Sequence, residues 1–251
     1  MSAESPVRRP PATPVFTGYR PPGAVSYVPG MTRDDLFTHI HKALRRGLFE
    51  VTMQAGATDW TNVGEVDQLA ARWRPLLALL RSHTEHEDRH ILRVLDPYEH
   101  QATEAIAEQH ADLEELEQHL ADAFEALVVR PDPAAGLAFY RDLARYVAAY
   151  LPHLHEEETV VMPRIWARCT DEEIAAARAA FMAEMTPQIQ AISLELMLPS
   201  LDRPTRAGLV TRMAATAPPE AMAGVLAIAD RVLGRDDAAV LHTLVGQAST
   251  T

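Results

Sequence analysis

The chain has 251 residues, 47% of them hydrophobic, which suffices for one large domain or a domain with an extension, and for a real core. A formal charge of −12 argues against nucleic acid as a partner, because neutralising phosphates takes clustered Lys and Arg. The single cysteine, Cys169, can form neither an internal disulfide nor a thiolate metal cage and is expected as a small buried hydrophobe.

The opening residues lack the apolar core of a signal peptide, and no uninterrupted apolar run is long enough to cross a bilayer. A soluble cytoplasmic protein with no membrane partner is expected. Residues 1–30 contain Pro6, Pro10, Pro11, Pro14, Pro21, Pro22 and Pro29 with little periodicity and read as an irregular tail, with Phe16, Tyr19 and Tyr27 placed to tack it onto the surface.

From Thr32, an N-cap candidate followed by Asp34 and Asp35, the apolar period becomes helical. Helix one is expected over 34–54 and is broken by the stretch from Gly56 to Gly64. Helix two is expected over 66–95, stopping at Asp96-Pro97 because the residue before a proline disfavours helix. Helix three covers 99–129 and ends at the prolines 131 and 133. Helix four covers 134–168, with Pro152 expected to kink or divide it one residue before His153. Short connections between four helices imply an all-α, antiparallel up-down bundle over residues 31–168.

A helical extension over 169–251 follows, opened by the capping-box pair Thr170 and Glu173. Its segments are expected at 171–185, 188–198, 203–215, 219–233 and 236–245. Met182, Met185, Met197 and Met213 read as core filler. A lid over the bundle mouth, a dimer face and a docking module are all compatible with this extension, so a homo-oligomer stays open.

The helical registers select which polar residues face inward. Helix one carries the seam Phe37, His41, Leu44, Leu48 and Val51, whereas His39 shares a face with Asp35, Arg46 and Glu50. Helix two carries Leu69, Leu76, Leu80, His83, Glu87, His90 and Val94. Helix three carries Ile106, His110, Leu113, Leu120, Phe124 and Leu127, and helix four carries Phe139, Leu143, Tyr146, Tyr150, His153, Glu157 and Val160, with a parallel stripe of Tyr140, Val147, Leu151, Leu154, Val161 and Ile165 beside it.

The same pair, His-x-x-x-Glu, therefore appears twice, as His83 with Glu87 and as His153 with Glu157. Side chains four apart stand one above the other on a helix, so each pair can close on one ion. With His41 and His110 the pairs give a ligand set from four helices around one interior point, the way metal sites are built in bundles. Two carboxylates in apolar seams need a counter-charge, since an unpaired buried ion costs several kcal/mol. Imidazole plus carboxylate without thiolate suits iron or manganese, with zinc less favoured.

Neighbouring residues have more ordinary readings. His86 and His155 lie beside the pairs and are expected to support them or face solvent. His90 reads as a hydrogen-bonded core histidine and Glu158 as an alternative carboxylate to Glu157. Tyr146 and Tyr150 either hydrogen-bond a bound ligand or fill the core. His100, His119 and His242 have no supporting constellation and are expected on the surface.

His41, the segment His83 to Glu87, His110 and the segment His153 to Glu157 together resemble, in order and face, the ligand segments of the hemerythrin-like, or HHE cation-binding, family. The resemblance covers about residues 31–168. It implies a four-helix bundle around a non-haem di-iron centre, two iron ions per chain, with Glu87 and Glu157 as bridges and a position for oxygen or nitric oxide. The oxygen-carrying members place a second histidine four residues after the helix-three ligand, where this chain has Glu114. A sixth protein ligand, an extra water and a mononuclear site are left open by that departure.

The function expected is reversible binding of oxygen or nitric oxide for sensing, buffering or storage, because neutral imidazoles leave the centre less anionic than two Glu-x-x-His motifs would. A di-iron oxidase, oxygenase or peroxidase-like enzyme is the alternative, and iron storage or delivery a third. No catalytic residue is assigned by the sequence.

Overall fold

The computed structural model describes residues 33–248; the proline-rich tail and Thr32 lie outside the described residues. The described residues form helices α1 (Thr38–Ala57), α2 (Val63–His86), α3 (Leu92–Val129), α4 (Pro133–Glu156), α5 (Met162–Arg168), α6 (Asp171–Glu184), α7 (Pro187–Ser200), α8 (Arg203–Ala214), α9 (Pro219–Val232) and α10 (Arg235–Ala248). No strand occurs among them. No helix among the described residues is long and apolar enough to cross a membrane.

Helix α1 packs on α2 and α4, α2 on α3, and α3 on α4. This closed ring of adjacencies is what a four-helix bundle requires. Local chemistry sets the helix ends. Asp35 Oδ1 accepts the backbone N–H groups of Phe37 and Thr38 at 3.0 and 2.9 Å, so α1 starts at Thr38, four residues later than expected from the sequence. Asn62 caps α2 through the N–H groups of Gly64 and Glu65, and Asp132 caps α4 through that of Ala135.

The second and third helices differ from the sequence expectation. The chain does not stop at Asp96-Pro97: helix resumes at Leu92 and passes through Pro97, and its break falls at Glu99, with φ −144° and ψ 55°. Asp96 Oδ1 spans that break by accepting the Thr103 hydroxyl and meeting His100 Nδ1, both at 2.7 Å. Pro152 likewise does not divide helix four, since α4 runs through it to Glu156.

What interrupts both helices is a π turn that starts at a motif glutamate. One spans Glu87–Ile91 and the other Glu157–Val161, each closed by an i to i+5 bond, from Leu92 N–H to Glu87 C=O and from Met162 N–H to Glu157 C=O. A π turn inserts one extra residue and rotates everything after it. The inward seam therefore slips by one position. His90, Val94 and Val160, expected in the seam, are only half-buried, while Ile91, Leu95, Val161 and Ile165 are buried.

Two apolar clusters bracket the polar pairs. The larger includes Leu44, Leu48, Trp73, Leu80, Leu113, Phe124, Phe139, Leu143 and Tyr150. The smaller, beyond the π turns, includes Phe37, Ile91, Leu95, Ile106, Val161, Met162, Ile165 and Cys169, which is buried as expected.

The extension packs on the bundle through α6 and α7. Ile189, Ile192 and Leu196 of α7 cover the larger cluster. Thr170 and Glu173 complete the expected capping box at the start of α6. Helices α8 to α10 build a separate small core from Val210, Met222, Val225, Ala229, Leu241 and Val245 together with Leu198 of α7. Met185 is buried and Met197 and Met213 half-buried, but Met182 is exposed, on the outer face of α6, rather than core filler.

Candidate metal centre

The two His-x-x-x-Glu pairs come from the ends of α2 and α4, and His41 and His110 face them from α1 and α3. All six side chains are buried, and Glu87, Glu157 and His41 have no exposed surface. Each imidazole turns Nε2 toward the carboxylates. His83 Nε2 lies 3.1 Å from Glu87 Oε1, and His153 Nε2 lies 3.3 Å from Glu157 Oε2. His41 Nε2 is 3.7 Å from Glu87 Oε1 and 3.4 Å from Glu157 Oε2, and His110 Nε2 is 3.7 Å from Glu87 Oε2 and 3.5 Å from Glu157 Oε1.

The donors fall into two groups that share a carboxylate. Glu87, His110, His153 and Glu157 each offer an atom within 4.8 Å of the others, and so do His41, His83 and Glu87. Both oxygens of Glu87 and of Glu157, with His41 Nε2 and His83 Nε2, are buried without a hydrogen-bond partner. Unpaired buried carboxylate oxygens are costly, and a cation is the partner that removes the cost. The donor set is nitrogen and oxygen only, which fits iron or manganese and allows zinc.

The reverse nitrogens are held from outside. His41 Nδ1 sits 3.1 Å from Glu158 Oε1, and Glu158 is itself gripped by Arg45 at 2.6 and 3.0 Å. His110 Nδ1 sits 2.7 Å from Asp88 Oδ1. His153 Nδ1 sits 3.0 Å from Gln109 Oε1, and the Gln109 amide donates to Glu156 Oε2 at 3.0 Å. Metal-binding imidazoles ordinarily donate their other N–H to such a group, which fixes ring orientation and tautomer. His83 lacks this support, with Nδ1 unpartnered, and its ring instead meets Phe181 of α6 with centroids 6.2 Å apart.

Burial and the charges within the cluster shift the titration of its members in opposite directions. Burial alone would lower His41 and His110, but the contact with Glu158 and the nearby Glu87 and Glu157 charges raise the first to about 9, and the contact with Asp88 and the same two charges raise the second to about 10. Burial and the Glu157 charge raise Glu87 to about 7. Burial would raise Glu157 as well, yet the neighbouring imidazoles of His110, His153 and His41 hold it below the usual range. Burial takes His153 down to about 4 and His83 well below its ordinary value.

The neighbouring candidates separate. Glu158 does not join the donor groups; burial would raise it, but His41 and Arg45 take it down to about 2, so it is an anchor for the His41 ring. His86 is buried against Phe181 and bonded at Nδ1 to Ser82 Oγ at 3.1 Å, and His90 faces Glu184 of α6 at 3.1 Å. His155 is exposed, as are His100, His119 and His242. His39 is half-buried and outside the cluster. Glu114 is exposed, so helix α3 contributes one candidate ligand, His110.

Sequence reasoning missed three supporting residues, Asp88, Gln109 and Glu156, and one buried acid, and had Glu158 as an alternative carboxylate rather than an anchor. Asp88 and Glu158 each directly follow a motif glutamate, an acidic repeat visible in the chain; Gln109 precedes His110 and Glu156 precedes Glu157. The acid is Glu117, 1% exposed, four residues after Leu113 and three before Leu120 on the same stripe. Its Oε1 accepts the Tyr146 hydroxyl. Burial outweighs Tyr146 and Arg81 and lifts Glu117 to about 7. Both Tyr146 and Tyr150 are buried, and burial holds the phenols protonated, well above their ordinary value.

The hemerythrin HHE cation-binding domain family matches residues 32–165, more than half of the chain. The chain belongs to this family. The match begins just before α1 and ends inside α5, so it spans the four-helix bundle and all six inward donors. Among curated proteins and among solved structures, none matches the chain. The hemerythrin-like domain thus binds metal cations by family, and its buried His and Glu groups are able to hold them.

Proposed function

We propose that this hemerythrin-like chain is a non-haem di-iron protein that binds oxygen or nitric oxide reversibly, for sensing, buffering or storage. The reading is carried by the division of the inward donors into two groups that share Glu87, with Glu157 also reaching toward His41 and His110. His41 and His83 would hold one ion, His110 and His153 the other, with Glu87 and Glu157 between them. Two imidazoles and two carboxylate oxygens per ion are fewer donors than an octahedral metal takes, which provides for a small exogenous ligand.

Bound iron would supply a redox-active Lewis acid to which a diatomic molecule can attach. The protein's own part is to hold the imidazoles in one tautomer, through Asp88, Glu158 and Gln109, and to exclude bulk water between two apolar clusters. Phe181 of α6 lies against His83 and His86, which favours a covering role for the first helix of the extension over the docking alternatives.

The test is spectroscopic. Purified protein loaded with ferrous iron, two ions per chain, is exposed to oxygen and to nitric oxide in separate samples. A charge-transfer absorption band that forms and reverses on removal of the gas is expected. Absence of an adduct with either gas rejects the reading. Irreversible oxygen consumption with a reductant favours the oxidase alternative, for which the nearby phenols of Tyr146 and Tyr150 are the supporting observation.

A further inference from the structure

The polar interior does not end at the six donors. Tyr150 and Tyr146 precede His153 by three and seven residues on α4, and Glu117 follows His110 by seven on α3, so one buried polar file continues from the centre into the larger apolar cluster for about two helical turns. Its members are not in equivalent states. Tyr146 spends its single proton on Glu117 Oε1. Tyr150, 1% exposed, has a hydroxyl with no hydrogen-bond partner among the described residues.

The Tyr150 ring packs on His153 with centroids 5.7 Å apart and on Tyr146 at 5.4 Å. Burial, with the Glu87, Glu117 and Glu157 charges, keeps that hydroxyl protonated, so it stays a donor. A phenol carries one donor, and a buried donor without an acceptor is rarely retained by a packed core. If packing were the whole reason, phenylalanine would fill the same space without the unpaired oxygen.

We propose that Tyr150 is the hydrogen-bond donor to a small anionic or oxygen-derived ligand bound at the metal centre, and that Glu117 keeps Tyr146 from competing by engaging its proton. The inference rests on the metal-binding reading above and specifies which protein group recognises the ligand. No covalent bond is made and no electron moves; one O–H turns toward the ligand atom that carries negative charge. Tyr150 is then a specificity residue favouring ligands that carry negative charge once bound.

Azide is the probe. The iron-loaded, oxidised full-length chain is titrated with azide, and the antisymmetric stretch of the bound azide is recorded by infrared spectroscopy in H2O and in D2O. The wild type should show an isotope-dependent shift of that band. Tyr150→Phe should abolish the shift and weaken azide binding by about tenfold, the usual effect of losing a hydrogen bond to a charged group. Tyr146→Phe makes the same chemical change one turn away and should keep both the shift and the affinity. Iron content and melting temperature are measured for each variant.

A Tyr150→Phe protein that keeps the isotope shift, with affinity within about twofold of wild type, overturns the proposal. So does a wild type whose azide band is insensitive to D2O, a result that needs no variant to fold. A chain that takes up no iron overturns the metal reading and this inference together, whereas iron and azide uptake without the isotope shift overturns the role of Tyr150 alone.

Discussion

Asp88 Oδ1 lies 2.7 Å from Nδ1 of His110, although Asp88 directly follows Glu87 in the π turn after α2 and His110 stands 22 residues later on α3. The second motif makes the equivalent bond: Glu158, directly after Glu157, meets Nδ1 of His41 on α1. Each motif thus turns a histidine and a carboxylate inward and, with its next residue, meets the imidazole of a neighbouring helix. The π turns begin at these glutamates, so the residue following each one belongs to a widened turn rather than a regular α-helical one.

Asp88→Ala removes the acceptor that orients His110 and should lower iron affinity by about 10- to 100-fold, the usual effect of losing a partner behind a ligating histidine. Competition against a chelator of known affinity measures it. Asp88→Asn keeps an acceptor oxygen and should lose less. Equal affinities for wild type and Asp88→Ala would show that the bond does not orient the ring.

The double substitution His83→Ala with Glu87→Ala removes a member from both donor groups. Iron content should fall to near background, and the increase in melting temperature that iron produces should vanish, because only ligands that bind the folded state stabilise it. His39→Ala, outside the cluster, should leave iron stoichiometry at the wild-type value. Elemental analysis and thermal melts with and without iron decide both.

The proton arrangement predicts opposite pH trends with and without metal. His41 and His110 are raised from 6.5 to about 9 and about 10, so their contribution to the metal-free fold is complete below pH 6.5 and is lost as pH rises through those values. Glu87, raised from 4.5 to about 7, loses its own contribution over that earlier interval. His153, lowered to about 4, acts in the reverse direction between about 4 and 6.5. Melting temperature of the metal-free protein should therefore fall between pH 6.5 and about 9. Iron affinity should rise over the same window, since the metal displaces protons from imidazoles. A metal-free protein that becomes more stable across that interval contradicts the assignment.

Gly136 opens α4 beneath Trp60, and a Cβ there would stand 2.2 Å from the indole ring atoms. The same indole meets Phe139 edge to face, with centroids 5.8 Å apart. Gly136→Ala should destabilise the bundle by about 1–3 kcal/mol through overpacking, less roughly 1 kcal/mol gained from helix propensity. Chemical denaturation of the metal-free protein measures the net change. The iron stoichiometry should not move, because this end of the bundle lies away from the donors.

The helices of this protein, their inward faces and the burial of six inward His and Glu side chains were legible from the chain alone. Apolar spacing of three and four is imposed by helix geometry, and a histidine or glutamate inside such a stripe is conspicuous for its desolvation cost. His41 was separable from His39, and the seams up to Glu87 and Glu157 are buried as the period predicts. The capping box at Thr170 and Glu173 was equally readable, since its bonds are local. Tertiary structure alone decided the rest. The two π turns have no periodic signature, yet they shift the later seam from Val94 to Leu95 and leave Val160 half-buried. The break at Glu99 replaces the one expected at Asp96-Pro97, because a proline constrains backbone locally whereas a reversal depends on what both arms pack against. The pairings of Asp88 with His110, Glu158 with His41 and Glu117 with Tyr146 join helices far apart in sequence, and only their packing brings these atoms within bonding distance.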